Sequence, residues 1–220
     1  MTKTIRPRLH GPGTLLFALL ICAEPVVGTT ISVVILPQGV VTAADGKTVQ
    51  YASNERVPPI GRVSKKLRLL RHRIVIGSYG VAKIGVEPQP GFVVTGYESG
   101  HATVIKIEVE IDWAAARLRQ PEATLLYPSA TTMFSSDAEK VSSLLPTWIN
   151  CRVSKTAAAT QRMETTARAI VDLGIEINEV NVGLPITSVT LFPNGSYRIR
   201  RYHSRLPDLC VSHSQKTAQK

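Results

Sequence analysis

The chain reads Thr29-Thr30-Ile31-Ser32-Val33-Val34-Ile35, turns at Pro37-Gln38-Gly39, and returns as Val40-Val41-Thr42-Ala43-Ala44-Asp45-Gly46-Lys47. Two β-branched runs joined by a Pro/Gly turn are a hairpin signal. With the turn centred on Gln38, Thr29 faces Lys47 across the hairpin and Asp45 lies one diagonal step away. Gly28 precedes Thr29, and the stretch before it has the make-up of an export leader. A threonine that becomes the first residue of a processed chain can use its own α-amino group as a general base. That amine has an unperturbed pKa of roughly 7.7–8.0, so it can accept a proton from the hydroxyl beside it near neutral pH.

Residues 1–28 differ in character from the rest of the chain. Lys3, Arg6 and Arg8 form a basic start, Thr14 to Ala23 is apolar, and small residues lead up to Gly28. This pattern predicts a signal peptide or propeptide, and the apolar run is too short for a stable membrane anchor. Two cleavage points fit, one after Ala23 and one after Gly28, and only the second exposes Thr29. The expected location is therefore exported, periplasmic or extracellular, with the cytoplasm as the alternative.

The net charge of +10 favours acidic partners without specifying them. Of three cysteines, Cys22 falls in the leader, leaving Cys151 and Cys210. These two either pair in an oxidising compartment or remain thiols; their spacing does not decide.

The 220 residues suffice for one domain with a real core, and with aromatics at 5% that core must be Val, Ile, Leu and Ala. A second hairpin is read at Lys65–Leu70 and Ile74–Gly77 around Arg71-His72-Arg73. Further strands are read at Phe92–Gly96 and Thr103–Ile111, separated by Glu98-Ser99-Gly100. Ser136-Asp137-Ala138-Glu139 has capping-box spacing and opens a helix that Pro146 should end. A second helix runs from Thr156 to Leu173 with Gly174 as its C-cap. A last hairpin, Ile186–Phe192 and Ser196–Tyr202, turns at Pro193-Asn194-Gly195. Strands, then helices, then strands indicate one α+β domain over 29–203, with a polar, loose tail at 204–220.

The second hairpin carries Lys65 and Lys66 near its start. If it joins the first hairpin's sheet, one of these ammonium groups approaches Asp45 and Thr29. A buried lysine beside a carboxylate would orient the threonine hydroxyl and lower its proton affinity.

Gly28-Thr29-Thr30, Ala43-Ala44-Asp45-Gly46-Lys47 and Val63-Ser64-Lys65-Lys66-Leu67 together resemble the opening of a proteasome β-type subunit, of the N-terminal nucleophile (Ntn) hydrolase superfamily. Phe92 to Tyr97 and Val182-Gly183-Leu184-Pro185-Ile186 are similar to later strands of that family, so the likeness spans most of 28–202. It implies a four-layer αββα sandwich. Only about ten residues, Lys83 to Gly91, stand where the family inserts a pair of long helices, so one helical layer is expected to be reduced.

The resemblance also implies roles. Thr29 would be the nucleophile, Asp45 would orient Lys66, and Lys66 would tune the hydroxyl. A backbone N–H near Gly80, with Tyr79 in the usual glycine position, would stabilise the oxyanion. The implied activity is hydrolysis of an amide or peptide bond with no cofactor. Self-association is expected because relatives form rings. The alternative is an inactive member serving as a binding or structural protein.

Other chemistries find little support. The basic run Arg62, Lys65, Lys66, Arg68, Arg71, Arg73 has only Tyr79 and Tyr97 nearby for stacking, so no nucleic-acid partner is expected. The histidines are dispersed singly and give no metal-ligand spacing. No phosphate-binding loop or dinucleotide fingerprint occurs.

Overall fold

The computed structural model describes residues 3–4, 29–50, 60–79, 91–109, 111–112, 117–118, 121–126, 131–135 and 138–210. In chain order the strands are β1 (Lys3–Thr4), β2 (Thr30–Leu36), β3 (Gly39–Asp45), β4 (Lys47–Gln50), β5 (Ile60–Val63), β6 (Leu67–Leu70) and β7 (Ile74–Tyr79). Next come β8 (Gly91–Glu98), β9 (His101–Glu108), β10 (Ile111–Asp112), β11 (Arg117–Leu118), β12 (Glu122–Leu126) and β13 (Thr131–Ser135). Two helices, α1 (Ala138–Asn150) and α2 (Ala159–Ile177), precede the closing strands β14 (Ile186–Leu191) and β15 (Tyr197–Tyr202).

Every strand pairing is antiparallel. One sheet runs β13-β2-β3-β14-β15, a second runs β1-β12-β9-β8-β7-β6, and β4–β5 and β10–β11 form small separate ladders.

Both faces of the β2–β3 hairpin are buried, which is why its sequence is apolar throughout rather than alternating. Ile31, Val33, Val40 and Ala44 pack against Val93 and Val104 of the second sheet. Between the sheets, Thr42 and Thr95 hydroxyls hydrogen-bond at 2.7 Å. On the opposite face Val34, Val41 and Ala43 pack against Met163, Ala167, Ile170, Val171 and Ile175 of α2. Each such aliphatic side chain withdrawn from water contributes about 1.5–3 kcal/mol. The layers are therefore helices, sheet, sheet.

This corrects the expected four-layer αββα sandwich. The chain is mostly antiparallel sheet with only two helices among the described residues, and both belong to the β13-β2-β3-β14-β15 side. Only residues 80–90 separate β7 from β8, too few for two long helices. On β9, Val104 faces the other sheet, so by the strand pleat Ile105 and Ile107 face outward, opposite Val94 and Phe92. That outer face carries no helix among the described residues.

Three local expectations also change. Pairing joins Ile31 to Ala44 and Leu36 to Gly39, so the turn consists of Pro37 and Gln38 alone. The register therefore slips by one residue, and Asp45 comes opposite Thr30 rather than diagonal to Thr29. Secondly, Pro146 sits inside α1 and does not end it. The carbonyl that proline leaves without a helical donor is that of Ser142, which is solvent-exposed and can be hydrated.

Thirdly, Gly174 lies within α2, whose C-cap is Asn178. Its role is close approach: a Cβ there would clash with Thr30 Oγ1. Gly174→Ala is thus expected to destabilise by about 1–3 kcal/mol through overpacking. That exceeds the roughly 1 kcal/mol an alanine gains in helix propensity. A lowered denaturation midpoint at unchanged slope is the expected reading, and a raised midpoint would show that α2 does not press on β2.

The segment expected to be a loose tail is anchored as far as Cys210. Arg205 Nε donates to Asp172 Oδ1 at 2.9 Å, and Leu206 N donates to Asp172 Oδ2 at 3.2 Å. Leu209 N donates to Cys151 O at 2.8 Å, and Cys151 and Cys210 form a disulfide. No helix among the described residues is long and apolar enough to cross a membrane.

Candidate active site

Asp45 is the last residue of β3 and is buried beside the 182–185 segment. Its carboxylate collects four donors. Thr30 N donates to Oδ1 at 3.1 Å, while Lys47 N (3.2 Å), Gly183 N (3.3 Å) and Lys66 Nζ (2.8 Å) all donate to Oδ2. The Asp45–Gly46 dipeptide makes this arrangement possible. The carboxylate bonds the N–H two residues on, as aspartates do at turns. Gly46 exchanges backbone bonds with Gly183 O (3.0 Å) and Ser64 N (2.8 Å). A Cβ on Gly46 would stand 2.6 Å from Pro185 O, so only glycine lets the 182–185 segment close over the carboxylate.

Lys66 arrives from the connection between β5 and β6, held by Ser78 N donating to its carbonyl at 3.1 Å. Of the two neighbouring lysines, Lys65 is exposed and Lys66 is buried at 4% exposure. The chain thereby selects which ammonium pairs with Asp45. Burial pushes the Asp45 carboxyl above its usual range, opposed by the Lys66 charge and the N–H donors. Burial also holds Lys66 below the usual lysine range, opposed by Asp45.

Thr29 immediately precedes the residue whose N–H Asp45 binds. It is 2% exposed, and its hydroxyl oxygen is buried without a hydrogen-bond partner among the described residues. A buried hydroxyl left unpaired costs about 1–3 kcal/mol, and such orphans call for an explanation. Lys47, expected opposite Thr29, turns away: its Nζ donates to Glu179 O at 2.6 Å. Glu179 itself is exposed and contributes that carbonyl.

The structure thus brings Asp45 and Lys66 together and sets Thr29 one peptide from the Asp45–Thr30 bond. The other two sequence-derived positions, Gly28 of the cleavage junction and Gly80 of the oxyanion site, lie outside the described residues. Tyr79, next to Gly80, packs its ring on Phe134 at 5.4 Å between centroids, and its hydroxyl is buried without a partner among the described residues. Burial, with Glu108 adding to it, raises the Tyr79 hydroxyl far above the usual tyrosine range, so it is protonated.

The backbone N–H groups of Thr30, Lys47 and Gly183 were not foreseen as partners of Asp45. Asp45-Gly46 is a common turn dipeptide, the one local signal that could have found Lys47 N. Gly183 is separated from Asp45 by 138 positions, and no local pattern links them. Comparison with protein-family models and with curated proteins finds no match.

Proposed function

We propose that the chain is the precursor of a threonine-type hydrolase of amide or peptide bonds, active once residues 1–28 are removed and Thr29 becomes the terminus. The observation that carries this reading is the buried Thr29 hydroxyl, without a partner among the described residues, one residue before the Thr30 N–H that the buried Asp45–Lys66 pair binds. The resemblance of Gly28-Thr29-Thr30, the Asp45 region and the Lys66 region to proteasome β-type subunits supports it. It depends on these residues and not on a fourth layer.

In the proposed reaction the freed α-amine takes the Thr29 hydroxyl proton as Oγ1 bonds to the substrate carbonyl carbon. The amine passes that proton to the departing nitrogen as the amide C–N bond breaks, leaving an ester on Thr29. Water then attacks the ester carbonyl and gives a proton to the amine, the C–Oγ1 bond breaks, and the amine passes that proton to Oγ1. Lys66, held below its usual range by burial, would stabilise developing negative charge on Oγ1. Asp45 fixes the Lys66 ammonium at 2.8 Å and fixes the hairpin start through Thr30 N. Export accords with the leader-like 1–28 and with a Cys151–Cys210 disulfide, a bond that persists in oxidising compartments.

A second reading, an inactive binding or structural protein, is favoured by the short 80–90 connection where active relatives carry helices. One experiment separates the two. The native protein is characterised by intact mass and N-terminal sequencing, then treated with a peptide epoxyketone, which needs both a hydroxyl and a free amine on one residue. A start at Thr29, with labelling lost in Thr29→Ala, is expected. A start at Glu24, or residues retained ahead of Thr29, rules out the hydrolase.

A further inference from the structure

Away from Thr29, a cavity of about 320 Å³ opens between the start of α2, the 151–154 turn, β15 and the 206–209 segment. This volume lies at the lower end of those that hold small ligands. Its walls are of two kinds. Val153, Leu206 and Pro207 are among the apolar ones, and Arg152, Arg168 and Arg200 are the cationic ones.

The cationic groups are not equivalent. Arg152 Nη1 pairs with Asp208 Oδ2 at 2.5 Å. Arg200 Nη1 pairs at 3.4 Å with Glu164, which also lines the cavity and also binds Arg198. Arg168 makes no ion pair among the described residues: its Nη2 donates to Ser204 O at 2.6 Å, and its guanidinium lies 4.2 Å over the Tyr202 ring. The Nε–H groups of Arg168 and Arg152 are both buried with no acceptor among the described residues. The site therefore holds more cationic than anionic side chains and at least two unused donors.

The α2 N-terminus adds to this field. Its N-cap residue is Ala158, which supplies no side-chain acceptor. The nearby hydroxyls of Ser154 and Thr156 bond each other at 3.0 Å instead of capping the helix. Ala157 and Gln161, flanking that terminus, line the cavity. Uncapped N–H groups and the helix dipole both favour an anion there.

We propose that this cavity binds a small organic carboxylate with an apolar tail, its carboxylate paired with Arg168 and its tail against Val153, Leu206 and Pro207. The excess of cations favours an anion, and a singly charged one meets less repulsion from Glu164 than a phosphate dianion would. The planar carboxylate also suits the guanidinium fork. The site is independent of Thr29 chemistry, and the two stand or fall separately.

The test uses the full, disulfide-bonded chain and three probes: hexanoate, hexanol and inorganic phosphate. Hexanoate is expected to bind with a Kd of about 1 mM or tighter by titration calorimetry, a typical range for a six-carbon fragment. Hexanol and phosphate should bind at least about tenfold more weakly, and Arg168→Gln should weaken hexanoate about tenfold or more, the effect of losing one charged hydrogen bond. Should that variant fail to fold, the Arg168 Nε–H resonance of the unaltered protein serves: hexanoate is expected to shift it and hexanol is not. Hexanol binding as tightly as hexanoate, phosphate binding more tightly, or no hexanoate binding and no shift would each overturn the proposal.

Discussion

Lys66→Met is expected to lower the unfolding free energy by about 3–5 kcal/mol, the cost of leaving one member of a buried ion pair without the other. Asp45→Asn should cost a similar amount. The double variant Asp45→Asn/Lys66→Met should recover most of that loss, because it removes both charges from a site where neither reaches water. The two single variants should also respond to pH with opposite signs. In Lys66→Met the buried Asp45 keeps a folded pKa above its unfolded value. Its protonated form is the stable one in the fold, so the deficit is small below the unfolded value and grows as pH rises through the folded one. In Asp45→Asn the buried Lys66 has a folded pKa below its unfolded value. Its deficit is small above the unfolded value and grows as pH falls through the folded one. Guanidinium denaturation of the three variants across about pH 3–11 reads both effects, since that window brackets the ordinary carboxyl and ammonium values. Additive losses in the double variant, or a shared pH slope in the single ones, would mean that the pair is not buried as a unit. Enzymatic readouts should separate from stability here: the double variant folds but lacks the ammonium that the proposed hydrolysis needs.

The legibility of this site in the sequence tracks how local each relation is. The β2–β3 hairpin and its Asp45 end were readable because both strands and the turn lie in one short stretch. The register was off by one residue because Gly39 takes a strand position, a choice set by packing of the hairpin on α2 and the second sheet rather than by turn residues. Lys66 was legible through its spacing and its resemblance to a known family. That Lys66 is buried and Lys65 exposed depends on where β6 settles against β7, a tertiary choice.

Elsewhere the signals misled for physical reasons. Gly174 and Pro146 carry helix-ending propensities, yet a helix that buries one face can outweigh them. Gly174 is used for contact with Thr30, and Pro146 leaves only an exposed carbonyl unbonded. The four-layer expectation came from the resemblance rather than from any helical pattern in 80–90, and it gave way to chain length. Strands β12 and β13 were not foreseen, since five-residue runs such as Thr131–Ser135 gain their strand character from pairing with β9 and β2. The arginine cavity was invisible because it joins Arg152, Arg168 and Leu206 from three separate elements.

The disulfide was undecidable from spacing for the same reason, and its removal carries the second large effect. Cys151 and Cys210 are 59 positions apart, with Cα atoms 5.1 Å from each other. Closing a loop of that length in the unfolded chain lowers its conformational entropy, and the chain-entropy relation gives about 4 kcal/mol of stabilisation at 25 °C. The loop contains α2, β14 and β15, so the bond ties the helical layer to the last two strands of the sheet it covers. The paired variant Cys151→Ala/Cys210→Ala should therefore lose about that amount. The loss should appear chiefly in the denatured state, because Leu209 N to Cys151 O, Arg205 to Asp172 and Arg152 to Asp208 still hold the segment when folded. Reduced and oxidised wild-type protein, compared by guanidinium unfolding, should show the same difference together with a steeper slope for the reduced form, whose unfolded chain exposes more surface. Equal midpoints would show that the 204–210 segment is fixed by its ion pairs and backbone bond alone, with the sulfurs adding nothing.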